Sequence, residues 1–292
     1  MIDTVCSGNT HLQLFADDAK LYSSININEV SVPLQRSLDN LCAWANDWQL
    51  TININKCAVL SVSSRIPAVS HNYFIHGISI LHQDTSCVDL GVTISYNLAF
   101  NDHINNIVSR ARQRISIIYR GFASRNNDIL KRAFIAYIRP IVEYNSVVWN
   151  PCSVFLTDLL ESVQRSFTKR IPSISNFSYA ERLALLNLDT LELRRLRFDL
   201  IFYYKVFNHL TPFDPQTTFH VYQPPTSLRC NTPFIQKPAH ASNKTLNTLF
   251  YRCIDAWNYL SIDLRNSNSL SVFKCGLKGV DLSRFLKGSL SV

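Results

Sequence analysis

The spacing of apolar residues changes near residue 101, and this change limits the fold more strictly than any other feature of the sequence. Between residues 57 and 95, apolar and polar residues alternate in CAVLSV, NYFIHGISI and CVDLGVTIS. Alternation of this kind predicts short antiparallel strands. From Ile104 to Ile118, apolar residues recur every three or four positions instead, which predicts a helix with a polar outer face. The chain is therefore expected to begin as strands and helix and to continue as helices.

The first hundred residues also contain a predicted hairpin and a predicted helix. In HLQLFADDAKLY, Asp17 and Asp18 interrupt the apolar alternation, which predicts a hairpin with both aspartates at its tip. In SVPLQRSLDNLCAWANDWQL, Ser31 is placed to cap a helix and Pro33 suits its first turn. The apolar residues expected to face a sheet from this helix are Leu34, Leu38, Leu41, Ala45 and Trp48.

The rest of the chain is predicted to be mainly helical. A helix from Asp128 is expected to end at Arg139, because Pro140 lacks the amide that a helix interior needs. Further helices are predicted over residues 156–167, 180–188, 191–210, 246–260 and 270–277, and the Pro- and Thr-rich stretch after His209 predicts a loop. Aromatic residues expected in the core are Trp149, Tyr144, Phe167, Phe202 and Tyr203. These patterns divide the chain into residues 1–100, 101–210 and 211–292.

Composition excludes several classes of protein. A content of 47% hydrophobic and 17% charged residues over 292 residues argues against a disordered chain. No stretch approaches the roughly 18 apolar residues of a membrane-spanning helix, and the first residues lack a secretory signal pattern. The eight cysteines are scattered without a CxxC pair, so they are expected to be buried, reduced thiols of an intracellular, cytoplasmic or nuclear protein.

The net charge of +8 is unevenly distributed. Residues 1–109 carry 4 basic and 9 acidic side chains, residues 110–210 carry 16 and 8, and residues 211–292 carry 9 and 4. A basic helical part fits a polyanionic partner, because Lys and Arg release counterions when they neutralise phosphates. The same excess also fits an ordinary solvated helical surface, so charge alone leaves both interpretations open.

The paired aspartates are the strongest candidate for chemistry. Adjacent carboxylates repel each other unless cations neutralise them, and Mg²⁺ prefers hard oxygen ligands of this kind. Taken alone, Asp17 and Asp18 are better explained as turn residues, since Asp favours turns for local hydrogen-bonding reasons.

Several segments together resemble the reverse transcriptases of non-LTR, LINE-type retrotransposons. The string LFADDAKLY resembles the F/Y-A-D-D box of these enzymes, and LQRSLDNLCAWANDWQLTININKC resembles the helix and lysine-bearing loop that follow it. Consecutive blocks in the C-terminal region of Jockey- and CR1-like proteins resemble PIVEYNSVVWNP, LESVQRSFTKRI, SYAERLALLNLDTLELRRLRFDLIFYYKVFNH and FYRCIDAWNYLSIDL. Four blocks in the same order are more specific than any one of them.

The resemblance implies an α+β fold, with a partial polymerase palm over 1–100, a helical thumb over 101–210 and a helical C-terminal region. It implies an RNA-directed DNA polymerase that uses an RNA template, a DNA primer, deoxynucleotides and Mg²⁺. Asp17 and Asp18 would be catalytic metal ligands, and Lys56 either a general acid or a solvated loop lysine. Gly91, in DLGVTISYNLAF, would let the backbone approach nucleic acid, or would be a simple strand glycine.

Two groups of arginines are the candidate nucleic-acid contacts. The first group, on the predicted thumb helix, is Arg110, Arg112 and Arg114, which would contact template and primer phosphates. The second group is Arg194, Arg195 and Arg197. Glu181 and Glu192 could instead hold this second group in surface ion pairs.

The sequence also departs from the family. In these enzymes a further metal-binding aspartate and the fingers precede the F/Y-A-D-D box, whereas only sixteen residues precede Asp17 here. Without a third ligand and the fingers, neither metal geometry nor substrate alignment would be fixed. We therefore expect no polymerase activity from this chain alone. A non-catalytic nucleic-acid-binding remnant and a product without function are the alternatives.

Overall fold

The chain forms two compact units, Met1–Phe100 and Asn101–Val292, which are described separately. This computed structural model describes residues 5–24, 32–63, 72–83, 85–222, 234–239, 245 and 247–288. The expected cap Ser31 and the cysteine Cys230 lie outside these residues. No helix in the described ranges is both long and apolar enough to cross a membrane.

The first unit combines one long helix with short strands. The helix is α1 (Val32–Asp47), with Pro33 in its first turn as predicted, and a 3₁₀ turn covers Ile54–Lys56. The strands are β1 (Thr10–Phe15), β2 (Asp18–Ser23), β3 (Ala58–Leu60), β4 (Phe74–Ile75), β5 (Ile78–Ser79), β6 (Leu81–Gln83), β7 (Ser86–Asp89) and β8 (Val92–Ser95). Three antiparallel hairpins result, namely β1–β2, β4–β5 and β7–β8.

One strand pair of this unit differs from the prediction. Strands β3 and β6 pair in parallel, with Ala58 opposite Leu81, whereas only antiparallel strands were expected. The β4–β5 hairpin lies between them in the chain, and this connection is long enough to bring β6 back in the same direction as β3. Apolar alternation does not encode strand direction, so the sequence could not distinguish the two arrangements.

Helix α1 packs on the strands through two apolar clusters. Leu41 contacts the cluster that contains Val5 and Leu12, and Cys42 belongs to the cluster around Ile75. This confirms that the helix lies on strands. Trp48 was expected on the same buried face, but it follows the end of α1 and is 68% exposed.

The second unit is built from helices. They are α2 (Asn101–Gly121), α3 (Asn127–Ala133), α4 (Arg139–Glu143), α5 (Ser146–Trp149), α6 (Val154–Lys169), α7 (Tyr179–Leu186), α8 (Leu191–Phe207), α9 (Pro215–Thr218), α10 (Leu249–Arg252), α11 (Ile254–Tyr259), α12 (Ile262–Arg265) and α13 (Leu270–Lys278). Short 3₁₀ turns cover Pro172–Ile174 and Ser283–Phe285, and β9 (Val221–Tyr222) pairs with β10 (Phe234–Ile235). The long predicted helices at 101–118, 156–167 and 191–210 are confirmed.

Pro140 does not end a helix, contrary to the prediction. The chain passes from α3 through a π-helical turn, Phe134–Ile138, directly into α4. Pro140 is the second residue of α4. In the first turn of a helical segment, a backbone amide is not required for an intrahelical hydrogen bond, so proline is tolerated there. The widened turn therefore lets helical structure continue to Glu143.

A network of hydrogen bonds between buried polar residues joins α5, α8 and α10. Asp199 is fully buried and accepts from Arg252 Nη2 at 2.7 Å, Arg252 Nε at 2.9 Å and Asn150 Nδ2 at 2.8 Å. Arg252 also donates to the carbonyl of Val147 at 2.6 Å, and Asn150 accepts from Arg195 Nε at 3.0 Å. Burial would lower the pKa of Arg252, but the Asp199 carboxylate raises it overall.

A second buried carboxylate fixes the start of α8. Glu161 on α6 accepts from the hydroxyl of Tyr179 at 2.5 Å and from the backbone amides of Leu191 and Glu192 at 3.3 Å. Burial raises the pKa of Glu161. A carboxylate at a helix N-terminus satisfies amides that have no partner within the helix. The network around Asp199 and this cap therefore hold α8 at two points.

Residues after 210 share a core with α8. Tyr203, Trp257 and Phe273 belong to one buried apolar cluster that continues to Leu282. The predicted boundary at residue 210 does not separate two cores, because Tyr203 of α8 packs against Trp257, with ring centroids 5.7 Å apart. Of the predicted core aromatics, Trp149, Phe167 and Tyr203 are buried, whereas Tyr144 is 58% exposed.

The described cysteines are free thiols with different degrees of burial. Cys42 and Cys253 are buried, as expected, whereas Cys275 is exposed. Burial raises the pKa of the Cys42 thiol, and more strongly that of Cys253, which donates to Asp199 at 3.4 Å.

Replacing the central buried carboxylate should destabilise the second unit. Asp199→Ala leaves the Arg252 guanidinium buried without its counter-charge, and we expect a loss of about 3–5 kcal/mol in the free energy of unfolding. Urea denaturation followed by the fluorescence of buried Trp257 measures this loss. The control is Lys237→Ala in the exposed pair Lys237–Asp255, for which we expect a change below about 1 kcal/mol. Equal losses in both variants would contradict the role of Asp199.

Candidate functional site

The paired aspartates lie where the sequence predicted them, at the tip of the β1–β2 hairpin. Phe15 pairs with Asp18 across the two strands, so Ala16 and Asp17 form a two-residue loop. Both carboxylates are exposed. Ala16 has a φ of 52°, and a positive φ at the first position of such a loop is the pattern of a type II′ turn, which favours glycine. The tight turn thus fixes two adjacent carboxylates in solvent.

The base of this hairpin is anchored to helix α1. Leu12 is buried against Leu41, and the Ser7 amide donates to Ser37 Oγ at 2.8 Å. Asn40 Nδ2 donates to the carbonyl of Val5 at 3.2 Å. Helix α1, predicted from apolar spacing, therefore supports the strands that carry the aspartates.

An ion pair joins the aspartate hairpin to the hairpin that carries Gly91. Lys20 on β2 bonds to Asp89 at the end of β7. Leu90 and Gly91 form the two-residue loop between β7 and β8, with φ angles of 46° and 78°. Positive φ at both positions is the type I′ pattern, which explains the glycine without invoking a ligand. The structure thus brings Asp17, Asp18 and Gly91 onto two linked hairpins.

Lys56 lies on a different element. It is the last residue of the 3₁₀ turn Ile54–Lys56 and its side chain is exposed. The turn is closed by the amide of Cys57, which donates to the carbonyl of Ile54 at 3.0 Å. The position is compatible with either a solvated lysine or a lysine that meets a ligand.

The aspartate pair offers hard oxygen ligands to a divalent metal ion. Mg²⁺ commonly takes one or two carboxylates and keeps several waters, so Asp17 and Asp18 suit it chemically. No group of three or more His, Cys, Asp or Glu side chains suited to one metal ion occurs among the residues that the structure describes.

The three arginines of α2, predicted together as phosphate contacts, do not lie on one face of the helix. Residues two positions apart on a helix point about 200° apart, so Arg112 faces away from Arg110 and Arg114. Arg112 turns toward α6, where its Nη2 donates to Ser162 Oγ at 3.0 Å. On the other side of α2, burial lowers the pKa of His103 and the charge of Arg110 lowers it further. All three arginines are exposed, and in the described parts of the chain none forms an ion pair.

Two arginines of α8 have carboxylate partners. Arg194 contacts Glu143 through two hydrogen bonds of 2.5 and 3.0 Å, and Arg197 Nη1 donates to Asp189 at 2.6 Å. Both arginine side chains retain a minority of their surface, 23% and 16%. Ion pairing, the alternative left open by the sequence, therefore occurs at both positions, although with other carboxylates than expected.

Arg195 is fully buried, which corrects its assignment as a nucleic-acid contact. Helical spacing turns Arg195 inward to Asn150, and burial lowers its pKa. The carboxylates expected to pair with this group of arginines, Glu181 and Glu192, form other hydrogen bonds instead. Glu181 caps α7 together with Ser178, and Glu192 accepts from the backbone amides of residues 287 and 288.

A groove between α2 and α6 was not anticipated from the sequence. It has a volume of about 340 Å³ and includes Asn105, Ser109, Arg112, Gln113 and Leu159 in its lining. The polar spacing on α2 was visible in the sequence, but the partner helix was not, because nothing local shows which face α6 presents to α2.

Comparison with known proteins places the chain near RNA-directed DNA polymerases of mobile elements. A probable RNA-directed DNA polymerase from transposon BS of Drosophila melanogaster is 32% identical over 147 residues, which is 47% of this chain. The RNA-directed DNA polymerase from mobile element jockey of the same species is 34% identical over 116 residues, or 38% of this chain. An uncharacterized protein of Caenorhabditis elegans is 28% identical over 111 residues, or 37% of the chain.

These matches support a relationship with LINE-type reverse transcriptases. The matched regions span 16% and 12% of the two Drosophila melanogaster polymerases and 56% of the nematode protein. No protein-family model and no solved structure matches the chain.

A single glycine substitution tests the geometry of the aspartate turn. Ala16→Gly removes the strain of a positive φ, and we expect the β1–β2 hairpin to gain about 1 kcal/mol in local stability. Hydrogen-exchange protection of the strand amides measures this gain. The matched control is Ala19→Gly in β2, where glycine should lower protection because an extended strand gains nothing from it. Lower protection in Ala16→Gly would contradict the turn geometry.

Proposed function

We propose that the chain is the C-terminal part of an RNA-directed DNA polymerase of a non-LTR mobile element. Residues 1–100 would contribute part of the palm, residues 101–210 the thumb, and residues 211–292 the C-terminal region. The observation that carries the proposal is the pair of exposed carboxylates at a two-residue hairpin loop, in a chain similar to polymerases of mobile elements.

Asp17 and Asp18 would hold Mg²⁺ in the intact polymerase. When bound there, the metal ions of a two-metal site activate the attacking hydroxyl and stabilise charge on the leaving group. The substrates would be deoxynucleotides added to a DNA primer on an RNA template. Lys56 would protonate the leaving pyrophosphate, a role that needs an exposed amine such as this one.

The hairpin with Gly91 would support the primer end. Its loop residues are exposed, and the Lys20–Asp89 pair ties the hairpin to the strand that begins with Asp18. That ion pair would keep the loop and the carboxylates in a constant relation. Positioning of this kind supplies much of the catalysis of nucleotidyl transfer.

Two carboxylates alone do not define the geometry that this reaction needs. Proximity and orientation contribute several orders of magnitude to the rate, and they require further groups that hold the nucleotide and the template. We therefore propose that the chain does not polymerise by itself.

A second candidate function is binding of nucleic acid by the helical unit without catalysis. The exposed arginines on α2 form no ion pair within the described ranges, which favours this function, because such a guanidinium can neutralise a phosphate. Arg110, Arg112 and Arg114 remain candidates, whereas Arg194 and Arg197 would first have to leave their carboxylates.

Primer extension on an RNA template tests the proposal of inactivity. With Mg²⁺ and deoxynucleotides, the purified chain should give no extension product, because its two carboxylates do not align a substrate. Extension by this chain that disappears in Asp17→Ala would contradict inactivity and support Asp17 as a ligand.

A metal titration tests whether Asp17 and Asp18 bind a divalent metal ion. Mn²⁺ should broaden the amide resonances of Ala16 and Ala19 in the unmodified chain and spare them in a variant with both Asp17→Asn and Asp18→Asn. Asp47→Asn, beyond the hairpin at the end of α1, is the matched control and should leave the broadening unchanged. Broadening that survives the double substitution would contradict a metal site at the hairpin tip.

A further inference from the structure

The groove beside α6 is lined mainly by α2, which contributes polar side chains and Val108, while α6 contributes Leu159. Asn105, Ser109, Arg112, Gln113 and Ser116 follow one face of α2, and none of the lining residues is a carboxylate. The volume of about 340 Å³ is within the range of small-ligand sites. The groove therefore suits an anionic or strongly polar ligand that is narrow enough to lie along a helix.

A hydrogen bond fixes the side chain of Arg112 at the centre of this groove. Its Nη2 donates to Ser162 Oγ at 3.0 Å, and that hydroxyl donates in turn to the carbonyl of Leu159 at 2.6 Å. The anchor fixes the guanidinium while its other N–H groups remain available. Arg112 forms no ion pair with the residues that the structure describes, and an arginine already fixed in place loses little entropy when it binds a phosphate.

Helical spacing places an exposed aromatic ring, Phe155, one turn before the groove-lining residue Leu159. Phe155 in the first turn of α6 is 73% exposed, the highest value among the large apolar side chains that the structure describes. It shares a helix face with Leu159 and Ser162, because residues four and seven positions apart lie on the same side. The contacts Arg112–Ser162 and Tyr119–Phe167 show that α2 and α6 run in the same direction, so Phe155 is level with Asn105.

The two ends of the groove differ in charge. Asp102 lies in the first turn of α2, near the level of Phe155, and disfavours a phosphate there. Arg120 lies one turn beyond Ser116 at the other end, is exposed, and donates to the carbonyl of Ser116 at 3.3 Å. An apolar ring therefore lies near one end of the groove, and positive charge extends from Arg112 at its centre to Arg120 beyond the other end.

We propose that this groove binds a single-stranded nucleic acid, with one base stacked on Phe155 and a backbone phosphate on Arg112. The proposal rests on the nucleic-acid binding proposed above for the helical unit, and it adds the class of strand. Stacking on an aromatic side chain requires a free base face, which a duplex does not offer along its length. Phosphodiester and base are common to RNA and DNA, so both strands are tested.

Affinity for labelled single strands tests the site. Fluorescence anisotropy at low salt would use oligo(U) and oligo(dT) of about 12 nucleotides, together with a duplex of the same length. Phe155→Leu should weaken single-strand binding about fivefold or more and leave duplex binding unchanged. Arg112→Gln should reduce the slope of log affinity against log salt by about 0.7.

A second aromatic residue provides the control. Phe177 is also exposed but lies on neither α2 nor α6, in the segment before α7, so Phe177→Leu should leave both affinities unchanged. A Phe155→Trp variant adds a direct readout, because a stacked base should quench its emission. Phe155→Leu is not expected to unfold the chain, since the ring contributes little to the core.

The outcomes separate this proposal from the one on which it rests. Retained binding that neither Phe155→Leu nor Arg112→Gln alters would overturn the groove site and leave nucleic-acid binding by the helical unit standing. Equal losses in Phe155→Leu and Phe177→Leu would also overturn it. No binding of any strand at low salt would overturn both proposals.

Discussion

The buried ion pair between Asp199 and Arg252 is the interaction on which the second unit most depends. It joins residues more than fifty positions apart, and Asn150 extends it to Arg195. A charge in this position is costly unless it is paired and hydrogen-bonded, so the helices can adopt only the arrangement that brings these groups together. The aromatic core then packs around helices whose positions are already set.

The arginines of the second unit differ in whether they have a carboxylate partner. On α8, Arg194 pairs with Glu143 and Arg197 pairs with Asp189, whereas Arg195 is buried and donates to the Asn150 amide oxygen. The arginines on α2 meet no carboxylate in the described residues, so their charge faces solvent uncompensated. Positive charge that folding does not use is available to a polyanion, and this locates the proposed nucleic-acid surface on α2 rather than on α8.

Local patterns predicted the elements better than the contacts between them. Apolar spacing located α1, α2, α6 and α8, and the turn residues located the hairpin with Asp17 and Asp18. The parallel pairing of β3 with β6, the π-helical turn before Pro140 and the burial of Arg195 were missed, because each depends on a partner distant in sequence. The same holds for the candidate site. The sequence showed which residue types it contains, but not which of its arginines form ion pairs.

The salt dependence of nucleic-acid affinity in two matched arginine variants tests most directly whether the arginines of α2, and not those of α8, bind nucleic acid. Arg114→Gln removes a charge on α2 that has no ion-pair partner among the described residues, and Arg197→Gln removes a charge that already has a carboxylate partner. We expect the slope of log affinity against log salt to fall by about 0.7–0.9 in Arg114→Gln and to stay unchanged in Arg197→Gln. An unchanged slope in Arg114→Gln together with a reduced slope in Arg197→Gln would contradict this prediction.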